Sequence, residues 1–237
     1  MRESLKNKQE RIRRIINRLY TEYPGSKCSL AHESPFQLLI STMLSAQCTD
    51  ERVNMVTPEL FKFYPTALAM AAAPVDHLAE LVRSTGFFNS KSKNMSACAI
   101  MLMEKHGGEV PADQDALVKL PGVGRKTANV VLGTAFHVPG VVVDTHVIRI
   151  ANLLRMTNQK DAVKIEFELQ KIIEKEHWVM FTHLIIDHGR AVCIARRPQC
   201  HTCVLAEYCP SVLPHEVIKK VSQKKNSPSR RGQRAGS

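Results

Sequence analysis

The sequence lacks the patterns that indicate a membrane protein, a secreted protein or a β-sheet protein. It contains no uninterrupted run of about 18 apolar residues, which a membrane-spanning helix needs. Its first residues, Met1 to Lys6, are mostly charged or polar and lack the apolar segment of a secretory signal. Residues 141–143, Val-Val-Val, are the one β-branched run, and we interpret them as a buried connector. We therefore expect an all-α fold, no membrane span and a cytoplasmic location.

The cysteine pattern and the excess of basic residues narrow the class of protein further. The seven cysteines are an odd number, and four of them lie between residues 193 and 209, unlike the pattern of a secreted disulfide scaffold. The net charge is +11 and the pI is about 9.5. Such a charge favours a polyanionic partner, nucleic acid first and an acidic membrane surface second. Residues 213–237 are basic and poor in aliphatic residues, so we expect a disordered tail.

Helical patterns follow one another along the chain. An amphipathic helix is predicted over residues 5–23, and a second helix begins at Ser34-Pro35. About six helices fill residues 28–138, one of them from about Lys93 to His106. Further helices are predicted at 145–154, 162–175 and 178–188. We expect a six-helix domain over 28–138 and a second domain made of residues 1–27 and 139–212.

One short block has a strong functional pattern. Residues 120–128, Leu-Pro-Gly-Val-Gly-Arg-Lys-Thr-Ala, join an apolar-periodic segment to a second helix through a tight turn. Two helices joined in this way form a helix–hairpin–helix. Gly122 and Gly124 permit unusual backbone angles and close approach, and the next helix begins with N–H groups that can bind a phosphate. Arg125 adds positive charge there.

The clustered cysteines predict a metal site. Cys193, Cys200, Cys203 and Cys209 have the spacing Cys-x6-Cys-x2-Cys-x5-Cys. Four thiolates this close can surround one centre, and the spacing alone leaves both zinc and an iron–sulfur cluster open. Arg196 and Arg197 lie within the first interval, so we expect the metal to stiffen a basic loop that meets phosphate.

A lysine and an aspartate are candidate catalytic residues. Lys126 lies in the first turn of the second hairpin helix, where it can pair with phosphate or act as a nucleophilic amine. The helix start, Arg125 and partial burial would favour its neutral form. Asp144 precedes a predicted helix, where it can act as an N-cap, or it can assist proton transfer and stabilise an oxocarbenium-like sugar.

Five blocks together resemble a known family. They are residues 44–50 (Leu-Ser-Ala-Gln-Cys-Thr-Asp), 89–91 (Asn-Ser-Lys), 120–131, 143–146 (Val-Asp-Thr-His) and the four-cysteine loop. Over roughly residues 10–212 the chain closely resembles the endonuclease III family of the helix–hairpin–helix DNA glycosylase superfamily. The resemblance implies two helical lobes flanking a DNA-binding cleft. It also implies a bifunctional glycosylase and apurinic/apyrimidinic lyase acting on oxidised pyrimidines, such as thymine glycol, in duplex DNA.

The resemblance also implies roles for individual residues. Lys126 is expected to be the Schiff-base nucleophile, with Asp144 as its carboxylate partner, and the four cysteines are expected to bind one 4Fe–4S cluster. Gln47 would fill the gap left by the flipped nucleotide, and Phe87 lies at the wedge turn, where the family usually has an aliphatic residue. The further expected DNA contacts are Gly122, Gly124, Arg125, Thr127, His146, Arg196 and Arg197.

Two other functions fit part of the pattern. An adenine glycosylase shares the hairpin and the cluster, but usually has Ser at the position of Lys126 and a large C-terminal recognition domain. A noncatalytic module would use the hairpin only to bind phosphate. We expect a monomer that binds damaged double-stranded DNA, near the bacterial nucleoid.

Overall fold

The computed structural model describes residues 3–212 of the chain, and this part is helical, with no β-strand. Short 3₁₀ turns lie at Arg83–Thr85, Lys175–His177 and Ala206–Tyr208. The α-helices are α1 (Leu5–Glu22), α2 (Pro35–Leu44), α3 (Asp50–Phe63), α4 (Ala67–Ala71), α5 (Val75–Leu81), α6 (Phe88–His106), α7 (Gln114–Leu117), α8 (Arg125–Ala135), α9 (Thr145–Leu153), α10 (Ala162–Gln170) and α11 (Trp178–Ala191). The all-α prediction is confirmed.

Several helices begin at a polar residue that caps them. The Ser34 hydroxyl accepts a hydrogen bond from the Gln37 amide at the start of α2, where Pro35 occupies the first helical position. Thr49 caps α3 and Asp113 caps α7 in the same way. Each cap satisfies an N–H group that the helix itself leaves without a partner. These starts agree with the sequence patterns.

The described chain forms two compact units. The terminal unit contains residues 3–26, 145–173 and 184–212, and the central unit contains residues 27–144 and 174–183. In the terminal unit, α1 buries one apolar stripe, Ile12, Ile15, Ile16 and Leu19, each at most 1% exposed. Its opposite face is exposed and charged, as the amphipathic pattern predicts.

Helix α2 lies at the centre of the central unit. Residues 36–44 are all buried, so α2 is covered on every side. It packs against α3, α6 and α8, and α6 also packs against α4 and α5. The shared core includes Leu38, Leu39, Met95 and Val131. This packing fixes the two loops that follow α2 and precede α6 relative to the hairpin before α8.

Three predicted helix boundaries are wrong, and the smallest error is at α11, which ends at Ala191 rather than at 188. Helix α6 begins at Phe88 rather than near Lys93, because Phe87 adopts a left-handed backbone with φ of 48° and the helix starts directly after it. Helix α10 ends at Gln170 rather than at 175. There the amides of Ile172 and Ile173 both donate to the Leu169 carbonyl, and both side chains are buried.

Residues 141–143 form a buried connector, as predicted. All three valines are buried and none of them belongs to a strand. Thr182 satisfies the connector's backbone, because its hydroxyl accepts from the Val142 amide at 3.2 Å and donates to the Val142 carbonyl at 3.0 Å. A short segment outside any helix can therefore be buried without pairing in a sheet.

No helix within residues 3–212 is both long and apolar enough to cross a membrane. The basic segment 213–237 lies outside the described residues. The predicted domain boundaries at 28 and 138 stay a prediction.

Candidate functional site

The hairpin turn packs directly on two helices of the central unit. Gly122 has a φ of 76°, in the left-handed region that favours glycine. A Cβ at this position would lie 2.9 Å from the Cβ of Asn94 on α6 and 2.9 Å from the Cε of Met43 on α2. A larger residue at this position would therefore clash with Asn94 and force the Met43 side chain to move.

Gly124 has the opposite surroundings. It is the N-cap of α8 with an extended backbone, and no side chain caps that helix. A Cβ built on Gly124 would meet no atom within 4 Å. The first hydrogen bond inside the helix joins the Ala128 amide to the Gly124 carbonyl, so the preceding amides have no partner within α8. An uncapped, open helix start of this kind suits an anion.

A polar chain ties the two hairpin helices together. The Arg125 guanidinium donates to the Gln114 side-chain carbonyl at 3.4 Å, and the Gln114 amide donates to Asn129 Oδ1 at 2.6 Å. Asn129 is only 5% exposed, so this contact anchors α7 to the buried side of α8. No sequence pattern predicts a role for Gln114 or Asn129, because isolated amides in helical segments are common.

Lys126 lies exposed in the first turn of α8. Partial burial was expected from the sequence, and this expectation is wrong, because the buried face of α8 is formed by residues such as Ala128 and Val131. Thr127 beside it is half-buried. Asp144, also half-buried, belongs to the same unit and directly precedes α9.

Gln47 and Phe87 lie on two loops that share a cavity. The cavity has a volume of about 260 Å³, and its lining includes Gln47, Phe87 and Gly122. Both loop residues are exposed, Phe87 at 65%, although phenylalanine is normally buried. Both have a left-handed backbone, with φ of 54° at Gln47 and 48° at Phe87. Strained non-glycine backbone of this kind concentrates at functional sites.

The four clustered cysteines line a second cavity, within the terminal unit. Its volume is about 330 Å³, and all four are half-buried around it. Burial raises the pKa of the Cys203 thiol to about 11 and also raises the pKa values of Cys193 and Cys209. Neighbouring thiolates in the group raise them further, so the deprotonated set needs a metal centre to balance its charge.

The sulfur positions distinguish between the two metals that the spacing left open. Around one zinc ion, with Zn–S bonds of about 2.3 Å, tetrahedral sulfurs lie about 3.8 Å apart. Among the described residues, no three of these four sulfurs lie within 4.8 Å of one another. The four sulfurs therefore lack the close spacing of ligands around one zinc ion.

Polar groups reach two of the cysteines from inside the terminal unit. The Arg149 guanidinium donates to the Cys193 carbonyl and lies 3.5 Å from its Sγ. His188 Nε2 lies 3.5 Å from Cys203 Sγ, and its Nδ1 lies 3.1 Å from the Tyr23 hydroxyl. Burial, with a contribution from Arg149, lowers the pKa of His188 to about 4, so the ring is neutral. No sequence pattern predicts a role for Arg149, His188 or Tyr23.

The remaining predicted DNA contacts belong to the terminal unit. Arg196 and Arg197 are exposed on the cysteine loop. His146 is half-buried in the first turn of α9, and its Nδ1 lies 3.4 Å from the Arg149 guanidinium. A Cβ built on Gly189 would overlap the same nitrogen, so glycine is required opposite the His146 ring.

The chain belongs to the HhH-GPD superfamily of base excision DNA repair proteins, whose family model matches residues 40–175. A second model, the iron–sulfur binding domain of endonuclease III, matches residues 193–209, which contain the four cysteines.

Within that superfamily the chain is similar to endonuclease III. It is 50% identical to endonuclease III of Synechocystis sp. over 206 residues, which cover 86% of this chain and 94% of the relative. It is 42% identical to the Escherichia coli K12 protein, with coverage of 86% and 96%. Identity to the Bacillus subtilis protein is also 42%, with coverage of 84% and 92%.

Two solved structures are similar along most of the chain. A non-covalent endonuclease III–DNA complex matches with a TM-score of 0.82 and 41% identity, covering 92% of this chain and 99% of the other. A trapped endonuclease III–DNA covalent intermediate matches with a TM-score of 0.82 and 44% identity, covering 86% and 96%. The chain is therefore a base excision repair enzyme, a DNA glycosylase with lyase activity, and it carries an iron–sulfur cluster.

Proposed function

We propose that this enzyme removes oxidised pyrimidines, such as thymine glycol, from duplex DNA and then cuts the strand. The observation that carries the proposal is the exposed amine of Lys126 in the first turn of an uncapped helix beside the open Gly124. This arrangement can receive a DNA strand by its phosphate and place an amine next to its sugar. Lysine amines form Schiff bases with carbonyl carbons.

The damaged nucleotide must first leave the duplex, at a cost of a few kcal/mol. Gln47 and Phe87 are the residues that we assign to the resulting gap. Gln47 can hydrogen-bond to the base that lost its partner, and the exposed Phe87 ring can stack on neighbouring bases. Their common cavity beside Gly122 supports this assignment, because it links the gap to the hairpin.

The hairpin then binds the phosphate backbone. Gly122 and Gly124 bring the main chain close to the strand, and the start of α8 presents amide N–H groups. Arg125 and Thr127 add a charge and a hydroxyl. From the terminal unit, His146, Arg196 and Arg197 are proposed to contact further phosphates, because phosphate contacts set the position of a protein on the duplex.

The chemistry begins with the neutral amine of Lys126. It attacks the C1′ atom, the bond from C1′ to the base breaks, and the base leaves as the sugar ring opens to an imine. Loss of a proton from C2′ then expels the 3′ phosphate by β-elimination. We assign Asp144 to proton transfer and to stabilising the positive charge that develops on the sugar.

The cysteine loop is the proposed ligand set of one 4Fe–4S cluster. Cys193, Cys200, Cys203 and Cys209 would supply its four thiolates, as the open sulfur arrangement and the cavity support. When bound, the cluster cross-links the loop through four iron–sulfur bonds. It would thereby hold Arg196 and Arg197 in place for phosphate. We further propose that the protein acts as a monomer on nucleoid DNA in the cytoplasm.

Borohydride trapping tests the lyase proposal. Borohydride reduces an imine to a stable amine, so the protein with thymine-glycol duplex should give a covalent adduct of higher mass. Lys126→Ala should give none. Lys164→Ala is the matched control, since Lys164 is also an exposed lysine in the first turn of a helix, but Asp161 caps that helix. Adduct formation by Lys126→Ala at the wild-type rate would contradict the assignment of Lys126 as the nucleophile.

A further inference from the structure

Lys91 is a buried lysine in the first turn of α6, and the proposed chemistry does not use it. Its side chain is only 7% exposed. Lysine is almost never buried without a partner, because removing an ammonium group from water is costly. Burial lowers the pKa of the Lys91 ammonium for this reason. Its position therefore needs a structural or functional explanation.

The Lys91 ammonium joins the ends of two elements. Its Nζ donates to the Leu44 carbonyl at 2.8 Å and to the Thr85 carbonyl at 2.9 Å. Leu44 is the last residue of α2, and Thr85 is the last residue of a 3₁₀ turn. Carbonyls at helix ends have no partner within the helix and carry partial negative charge, so a buried cation suits them.

Each of these two ends is followed closely in the sequence by one of the two residues proposed to enter the gap. Gln47 follows Leu44 by three residues, and Phe87 follows Thr85 by two. Both have the strained left-handed backbone described above, which persists only when its surroundings fix it. Lys91 also lines the cavity that the two loops share. One ammonium group is therefore bonded to the backbone just before both loops.

We propose that Lys91 is a positioning residue that sets the separation of the Gln47 and Phe87 loops, so that both can enter the gap left by a flipped nucleotide. This inference rests on the proposed function. The two loops come from different elements, and filling one gap requires a fixed separation between them. A shared charged donor holds them in that arrangement before DNA binds, which removes an ordering cost from binding.

Lys91→Met removes the ammonium and keeps the apolar stem. Lys105→Met is the matched control, because it removes the same charge from an exposed lysine near the other end of α6. We measure affinity for a duplex with a tetrahydrofuran abasic analogue and for the same duplex undamaged. Lys91→Met should lose about tenfold in lesion preference, while Lys105→Met keeps it. Equal losses on both duplexes would indicate general destabilisation and overturn the proposal.

A double-mutant cycle tests whether Lys91 acts through the loops. Gln47→Ala should reduce affinity for the abasic-analogue duplex less in the Lys91→Met background than in the wild type, because the loop is already displaced in that background. A second measurement leaves Lys91 unchanged, so it does not depend on whether the Lys91→Met variant folds. Gln47→Ala and Phe87→Ala should be non-additive, since the proposal makes their loops one unit. Additive losses in either cycle would contradict it.

The two proposals can fail separately. A wild-type protein that gives no borohydride adduct contradicts the lyase assignment of Lys126. A wild-type protein that gives the adduct, together with Lys91→Met that matches Lys105→Met in lesion preference, contradicts only the positioning role.

Discussion

Two lysines of the central unit occupy opposite environments. Lys126 is exposed at the start of α8, where water and DNA can reach its amine. Lys91 is buried, and two carbonyl oxygens hold its ammonium at 2.8 and 2.9 Å. A nucleophile must be accessible to its substrate, whereas a positioning group must keep its contacts. The environment of each lysine therefore matches the role proposed for it.

Asp144→Asn tests the proposed carboxylate chemistry at the scale of a single residue. Asparagine caps helices about as well as aspartate, so the start of α9 should be unaffected while the charge is lost. Trapping on thymine-glycol duplex should slow by about 100-fold, the usual contribution of a proton-transfer group. Affinity for the abasic-analogue duplex should change little.

Asp161→Asn is the control for that variant, because Asp161 caps α10 and an asparagine there also removes one charge without removing the cap. It should react at the wild-type rate. An equally fast Asp144→Asn enzyme would limit Asp144 to a role at the beginning of α9.

Single residues could be predicted from the sequence only where a motif contains them. Lys126 and the four cysteines belong to distinctive blocks, which is why they are candidates from the sequence alone. Lys91 belongs to one of those blocks as well, but nothing in its local pattern predicts that it is buried. Burial of a lysine depends on where distant carbonyls end, and Leu44 is 47 residues away in the chain.

At the scale of the element, the two hairpin glycines should respond differently to the same substitution. Gly122→Ala should lower the free energy of unfolding by about 2 kcal/mol, because its Cβ meets Asn94 and Met43 and its φ is positive. Gly124→Ala should change it by less than about 0.5 kcal/mol, because its Cβ enters open space with an extended backbone. Chemical denaturation measures both.

At Gly124 the effect of the substitution is expected in DNA binding rather than in stability. Gly124→Ala should weaken binding to duplex DNA despite its normal stability, because the added methyl group keeps the strand from the start of α8. Wild-type affinity of a folded Gly124→Ala protein would exclude close approach of the backbone at this position.

Helix boundaries could be predicted from the sequence only where local residues determine them. Helix α2 starts at Ser34-Pro35 and α8 starts after the hairpin turn, because local capping and turn chemistry decide both positions. The start of α6 was missed because Phe87 adopts a conformation that is uncommon for a bulky residue, and no local pattern predicts it. The end of α10 was missed because the burial of residues 172 and 173 overrides helix propensity.

At the scale of the whole molecule, the metal centre should decide the stability of the terminal unit. The wild-type protein should be yellow-brown and contain about four iron atoms per chain. Cys203→Ser should lose iron and unfold at a lower temperature, because the cysteine loop then lacks one of its four bonds to the cluster. Cys28→Ser is the control, since Cys28 is half-buried in the central unit. Iron content and thermal unfolding of both variants give the answer, and a colourless, zinc-loaded wild type would contradict the cluster.

The terminal unit is made of three separate chain segments, and this affects how the protein folds during translation. Helix α1 leaves the ribosome first, but its polar contacts are with Leu154, Lys171 and residues near the cysteine loop. Its apolar stripe therefore stays without its packing partners while about 150 further residues are translated. At ordinary elongation rates this takes several seconds or more. The central unit is translated largely in between and can fold first. The helix that begins the chain is thus among the last to be packed, and newly made protein needs protection from aggregation during that interval.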